Sequence, residues 1–249
     1  MAADDRPRRV LIIGATSAIA AEVGRLYAGR GAALVLAGRN PARLAAVGDD
    51  LRLRGAGTVA AEVLDVLDHE AHAPFVQRAF AGGLDVVLVA HGVLPDQRRC
   101  EADPGEAMRA LEVNLVATVA LVTLLANELQ ARRSGTLAVI SSVAGDRGRQ
   151  SNYVYGAAKA GLTAFLQGLR QRLHPAGVRV VTLKPGFVNT PMTAHLPENP
   201  LASSSRRAAR AIYRAIEAER DVAYIPWFWR PVMAVIKALP EPIFKRLRL

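Results

Sequence analysis

Along most of the chain, short apolar runs alternate with longer stretches in which apolar positions recur at helical spacing. The runs are RVLIIG, AALVLAG, TVAAEVL, LDVVLVA, GTLAVISS and VRVVTLKP. Between them the 3.6-residue period predicts helices at 17–29, 41–54, 68–80, 104–131 and 152–173, with another at 205–220. Strands that are apolar on both faces and separated by helices belong to a parallel sheet covered on each side. The predicted fold class is α/β, with a doubly wound, seven-stranded parallel sheet, six of whose strands are these runs. Ligands of such sheets bind outside the carboxyl ends of the strands, so the loops after the strands should carry the chemistry.

A chain of 249 residues accommodates this as a single-domain Rossmann-type fold. We place that domain at 1–224, with a substrate lid at about 190–220 and a C-terminal amphipathic tail at 225–249. Half of the residues are hydrophobic, but the longest apolar run, 113–126, is broken by Asn114 and two threonines. It reads as a buried helix, not a membrane span. The N-terminus lacks the long apolar region of a secretory signal. The single cysteine, Cys100, excludes an internal disulfide or a cysteine-built metal site, and we expect a cytoplasmic protein with no metal. The net charge of +10 raises the question of nucleic acid. The basic residues are scattered, with no base-stacking aromatics between them, and a solvated surface explains most of them, so no nucleic-acid partner is expected.

Three stretches stand out. GATSAIA (14–20) follows a strand and opens a helix, where backbone N–H groups and the positive helix end face a pyrophosphate. Only Gly14 of a glycine-rich pattern is present, with Ala18 and Ala20 at the other close-approach positions. The second strand ends in Gly38 and Arg39, without the acid that would bind a ribose 2′-OH; an arginine there suits a 2′-phosphate, which favours NADPH over NADH. In YVYGAAKAGL (153–162), Tyr155 lies four residues before Lys159 and shares its helical face, whereas Tyr153 lies about 120° further round. An ammonium beside a phenol favours phenolate, so Lys159 is expected to lower the Tyr155 pKa. An incidental neighbour pair is the plain alternative.

Upstream, VISSVAG ends a strand with Ser141 and Ser142. With this serine pair and the Tyr-x-x-x-Lys helix, residues 8–192 resemble the short-chain dehydrogenase/reductase family. The family spacing selects Ser142. By this resemblance Tyr155 protonates a ketone oxygen as hydride arrives, Ser142 orients that oxygen, and Lys159 binds the nicotinamide ribose and favours tyrosinate. Asn114 in EVNL holds a water on the proton path. Cofactor contacts are implied for Gly14, Thr16, Ser17, Ile19, Arg39, Asn40, Asp65, Val66, Ala90, Gly92, Tyr155 and Lys159. Pro185, Gly186, Val188 and Thr190 of PGFVNT are implied to line the nicotinamide side. The chain departs from the family at Ala18, Ala20, Ser17, Val89 and Ala90. Homodimers or homotetramers built on the helices at 104–131 and 152–173 are a further implication.

The tail, YIPWFWRPVMAVIKALPEPIFKRLRL, contains both tryptophans, Trp227 and Trp229, and sets Arg230, Lys237, Lys245, Arg246 and Arg248 against one acid, Glu241. Interfacial aromatics flanked by cations suit a segment lying in a headgroup region, although packing on the protein or on a second copy is the rival. With AGDRGRQSNYVYGAAKAGL and KPGFVNTPMTAHL, the tail resembles one branch of the family, the decaprenylphosphoryl-2-keto-ribose reductases. That resemblance implies a lipid-linked keto-sugar substrate, a flavin oxidase partner and peripheral attachment to the inner face of the cell membrane. Arg206, Arg207 and Arg210 are weaker candidates for phosphate contacts.

Overall fold

The computed structural model describes residues 7–197 and 199–247; Arg248 lies outside them. Seven parallel strands form the main sheet: β1 (Arg9–Ile13), β2 (Ala33–Gly38), β3 (Thr58–Val63), β4 (Val86–Val89), β5 (Thr136–Ile140), β6 (Arg179–Pro185) and β9 (Val222–Ile225). Their order is β3-β2-β1-β4-β5-β6-β9, so connections run in opposite directions from β1 and β4 and open a crevice between their carboxyl ends. Two short strands, β7 (Val188–Asn189) and β8 (Ser203–Ser204), pair separately above β6.

Alternation along each strand builds two cores. Leu11 and Ile13 of β1 face the layer of α3 (His69–Phe80), α6 (Ala117–Arg132) and α7 (Tyr153–Leu173). Val10 and Ile12 face α1 (Ala18–Ala28), α2 (Pro41–Leu53) and α8 (Ser205–Glu217). Ser17, Asn40 and Asp68 cap the first three helices through their side chains, at the starts expected from the sequence.

Three elements differ from the sequence expectation. The seventh strand, β9, is a four-residue run, VAYI, that leads straight into the aromatic tail and so is not set apart in the sequence as a strand. Helix α4 (Gln97–Ala102) has no apolar period and owes its start to Asp96, whose carboxylate accepts from Arg98 N and Arg99 N. The helix expected at 104–131 is α5 (Pro104–Leu111), a π-helical turn at Glu112–Val116 and α6. By length and composition alone this stretch would pass for a membrane span. Here it is a core helix, with Leu121, Leu125 and Leu129 wholly buried.

The expected lid also divides. The turn at Pro191–Thr193 borders the crevice, whereas α8 buries Ala208, Ala209, Ile212 and Ile216 in the core. The tail forms α9 (Trp229–Ala238) and α10 (Glu241–Phe244). Trp229 and Met233 are buried against Val143, with Phe187 and Tyr224 packed around them.

Candidate active site

A cleft of about 430 Å³ opens at the carboxyl ends of β1, β4 and β5. Gly14 sits at its floor with φ +78°, and its N–H donates to Ala37 O at 2.9 Å. A Cβ there would stand 2.6 Å from His91 N, so only glycine lets this loop pass the one after β4. The loop thereby presents the first turn of α1, where Thr16, Ser17, Ala18 and Ile19 line the cleft. Arg39 and Arg43 line it past β2, and Asp65 and Val66 past β3. A backbone cradle at a helix N-terminus, two cations after β2 and an acid after β3 fit a dinucleotide with an extra phosphate.

Ser142, Tyr155 and Lys159 converge at the opposite end. Ser142 and Tyr155 line the same cleft; the Ser142 hydroxyl donates to Pro185 O at 3.4 Å and accepts from Ala144 N at 3.1 Å. Ser141 is turned the other way, into the protein. Its hydroxyl donates to Lys159 O at 3.1 Å and pairs with Thr163 Oγ1 at 2.8 Å, tying β5 to α7. Tyr155 opens onto the cleft while Tyr153 is largely exposed outside it.

The expected electrostatics of the pair are corrected by their surroundings. Protein packed around Tyr155 disfavours phenolate and pushes its pKa up to about 12, against the smaller lowering effect of Ser142. Lys159 lies 5.7 Å from the ring centroid and donates to Ile140 O at 3.0 Å. Burial brings its own pKa down to about 8. Asn114, wholly buried in the π-helical turn, donates through Nδ2 to Val93 O at 3.0 Å and Ala110 O at 2.9 Å, while Oδ1 accepts from Val93 N at 3.0 Å. It therefore lies behind the cleft wall and braces the loop at Gly92. A Cβ on Gly92 would fall 2.8 Å from Asn114 Oδ1.

Ala90, Gly92, Pro185, Gly186, Val188 and Thr190 all line the cleft. Asn40 does not: its Oδ1 is occupied in capping α2, accepting from Arg43 N at 2.9 Å. Arg206, Arg207 and Arg210 lie on the exposed side of α8, away from the cleft.

Residues 8–201 match the short chain dehydrogenase family. The chain belongs to that family. This short-chain dehydrogenase is 40% identical over 240 residues to an uncharacterized oxidoreductase of Mycobacterium tuberculosis, with 96% of each chain covered. It is 37% identical over 243 residues to one from Streptomyces coelicolor, covering 97% of this chain and 96% of the relative. A Burkholderia cenocepacia short chain dehydrogenase in complex with NADP superposes with a TM-score of 0.85 at 22% identity, over 99% of this chain and 100% of that one. A Sphingobium yanoikuyae short-chain dehydrogenase in complex with NADPH superposes with a TM-score of 0.80 at 22% identity, over 94% and 97%. At that identity the two structures establish the fold.

The dehydrogenase fixes the loop between β5 and α7 by contacts that sequence reasoning missed. Cβ atoms at Gly145 and Gly156 would lie 2.6 Å from Lys159 C and 3.0 Å from Ala144 O, so the loop lies directly on α7. Asp146 accepts from Lys184 Nζ at 2.5 Å and from the Tyr224 hydroxyl at 2.7 Å. Arg147 donates to Ile236 O at 2.7 Å, Leu239 O at 2.6 Å and Glu241 Oε2 at 2.9 Å, and its guanidinium lies 3.6 Å from the Phe244 ring centroid. The tail is thus clamped to the loop that carries Ser142. His91, Arg43, Arg149 and Asn152 are further cleft residues. Burial, and then Lys159, bring the His91 pKa down to about 3, which keeps the ring neutral.

Proposed function

We propose that the protein reduces a ketone to a secondary alcohol with NADPH, and that its substrate is the 2-keto-pentose of a polyprenyl-phosphate sugar. The observation that carries the reductase reading is the convergence of Ser142 and Tyr155 on one cleft, with Lys159 one helical turn along the same face and 5.7 Å from the Tyr155 ring centroid. NADPH, when bound, supplies the hydride for the carbonyl carbon. Thr16, Ser17 and Ile19 would hold its pyrophosphate, Arg39 and Arg43 its 2′-phosphate, and Asp65 and Val66 its adenine side. Pro185, Gly186, Val188 and Thr190 would border the nicotinamide.

Ser142 orients the ketone oxygen by donating its hydroxyl proton. Tyr155, a neutral phenol at pH 7, passes a proton to that oxygen as negative charge builds on it. Lys159, mostly an ammonium at pH 7, stabilises the tyrosinate left behind and restores its proton. Both Nδ2 hydrogens of Asn114 are committed, so a water carrying protons onward from Lys159 would be held by an Asn114 oxygen.

The lipid-linked substrate is supported by the surface beside the cleft. Met192 and Leu196 are exposed at its rim, and Trp227, Val235, Ile243 and Leu247 are exposed on the tail among Lys237, Lys245 and Arg246. Such a surface suits the headgroup region of a membrane, where the polyprenyl chain stays while the sugar enters a cytoplasmic cleft. A flavin oxidase would generate the ketone, and the two reactions together would epimerise the sugar. In this reading the protein is peripheral on the inner face of the cell membrane and pairs through α6 and α7 as a homodimer or homotetramer. NADPH oxidation is to be followed with a polyprenyl-phosphoryl keto-pentose in detergent beside short soluble ketones. Strong preference for the lipid is expected; equal turnover of the soluble ketones would overturn the lipid assignment.

A further inference from the structure

Three lysine and arginine side chains are buried among the described residues, Lys159, Lys184 and Arg149, and they are not treated alike. Lys159 donates to Ile140 O, and Lys184 is paired with Asp146. Arg149 is 9% exposed, and no hydrogen bond or ion pair joins its guanidinium to any described residue. Its Nε is fully enclosed without a partner, and the side chain lines the cleft with Ser142 and Tyr155. Taking a guanidinium out of water costs several kcal/mol unless an acceptor replaces the solvent. Burial accordingly draws its pKa below the ordinary arginine value, an effect that a bound anion would reverse.

A second unpaired group points to the same ligand. Asn152 begins α7 but makes no side-chain capping bond. Its Oδ1 is buried without a partner, and the residue also lines the cleft. Arg149 offers a planar fork of donors and Asn152 an acceptor, a combination that matches an anionic oxygen and a hydroxyl on one molecule. Both belong to the loop between β5 and α7, which flanks the Ser142–Tyr155 pair, whereas the candidate cofactor-phosphate residues Thr16, Arg39 and Arg43 come from the loops after β1 and β2.

We propose that Arg149 determines substrate specificity by binding the phosphoryl group of a hydroxylated ketone, with Asn152 accepting from one of its hydroxyls. The proposal rests on the reductase reading and adds to it the residue that selects an anionic over a neutral ketone. No acid of the loop can stand in for that group: Asp146, the nearest in sequence, is held by Lys184 and Tyr224.

Dihydroxyacetone phosphate and dihydroxyacetone form a matched pair, each carrying a hydroxyl beside the carbonyl and differing in the phosphoryl group. Their dissociation constants are to be measured calorimetrically for wild type, Arg149→Gln and Arg149→Lys, with NADP+ bound and without it. Wild type is expected to favour the phosphate by at least about tenfold. Arg149→Gln should bring the ratio to within about twofold of unity, and Arg149→Lys should keep part of it. Thermal melts control for folding; Arg149→Gln, relieved of an unpaired charge, should be no less stable than wild type. Absence of an anion preference in wild type, or its survival in Arg149→Gln, would overturn the proposal, as would a parallel loss of NADP+ affinity, which would assign Arg149 to the cofactor. Failure of the wild-type protein itself to bind NADP+ would instead overturn the reductase reading, while the contrast without nucleotide would still decide the role of Arg149.

Discussion

Ser141 and Ser142 are adjacent, buried and chemically identical, yet their hydrogen bonds give them different roles. Ser142→Ala should lower kcat for ketone reduction by about 10- to 1000-fold with little loss of stability. Ser141→Ala, which leaves the Ser141 partners on α7 without their bond, should instead cost about 1–3 kcal/mol in denaturant unfolding and largely spare kcat. The reverse pattern would mean that the wrong serine has been assigned. Lys159 gives a pH test with a definite sign. Its folded-state pKa of about 8 lies below the 10.5 of the unfolded chain, so the unfolded state binds the proton more readily. The resulting destabilisation is complete below about pH 8 and disappears as pH rises to 10.5. The stability of cofactor-free Lys159→Met relative to wild type should therefore fall across that window by on the order of 3 kcal/mol; a flat difference would contradict it. Helical spacing alone chose Tyr155 over Tyr153, because i and i+4 share a face. It could not say that burial raises the Tyr155 pKa, nor that Arg149 lacks a partner, since both depend on what surrounds a side chain in three dimensions.

The active elements are held together by close backbone approach. Gly145 lies so near α7 that a methyl group would meet Lys159 C and Ala160 N at 2.6 and 2.7 Å. Gly145→Ala should push the turn after β5 away from α7, lowering the melting temperature and reducing activity together, by at least about 1 kcal/mol of stability. Unchanged melting with lost activity would require another explanation. The helices were legible because their apolar period and caps agree: Ser17, Asn40 and Asp68 begin helices where their side chains accept backbone N–H groups. The π-helical turn at Glu112–Val116 was not, because one widened turn hardly disturbs the period of a long apolar helix. It is nevertheless what positions Asn114 against the loop after β4.

The whole molecule joins an apolar tail to the cleft. Trp229 and Met233 bury one face of the tail and Arg147 clamps its end, while Trp227 remains 75% exposed. Trp227→Ser should leave folding intact and reduce sedimentation with anionic vesicles several-fold; undiminished binding would remove the tail from the membrane contact. The aromatic and basic composition of the tail was evident in the chain, but its attachment to the Ser142 loop was not, because Arg147 lies about ninety residues from the carbonyls it binds. Cleft, cradle and tail all depend on one central claim, that Tyr155 is the acid of an NADPH-dependent ketone reduction. Its most direct test compares wild type and Tyr155→Phe for NADPH binding, by nucleotide fluorescence, and for NADPH oxidation with a ketone. Unchanged NADPH affinity with reduction slowed about 10²- to 10⁴-fold is the result predicted; reduction at the wild-type rate would contradict the account.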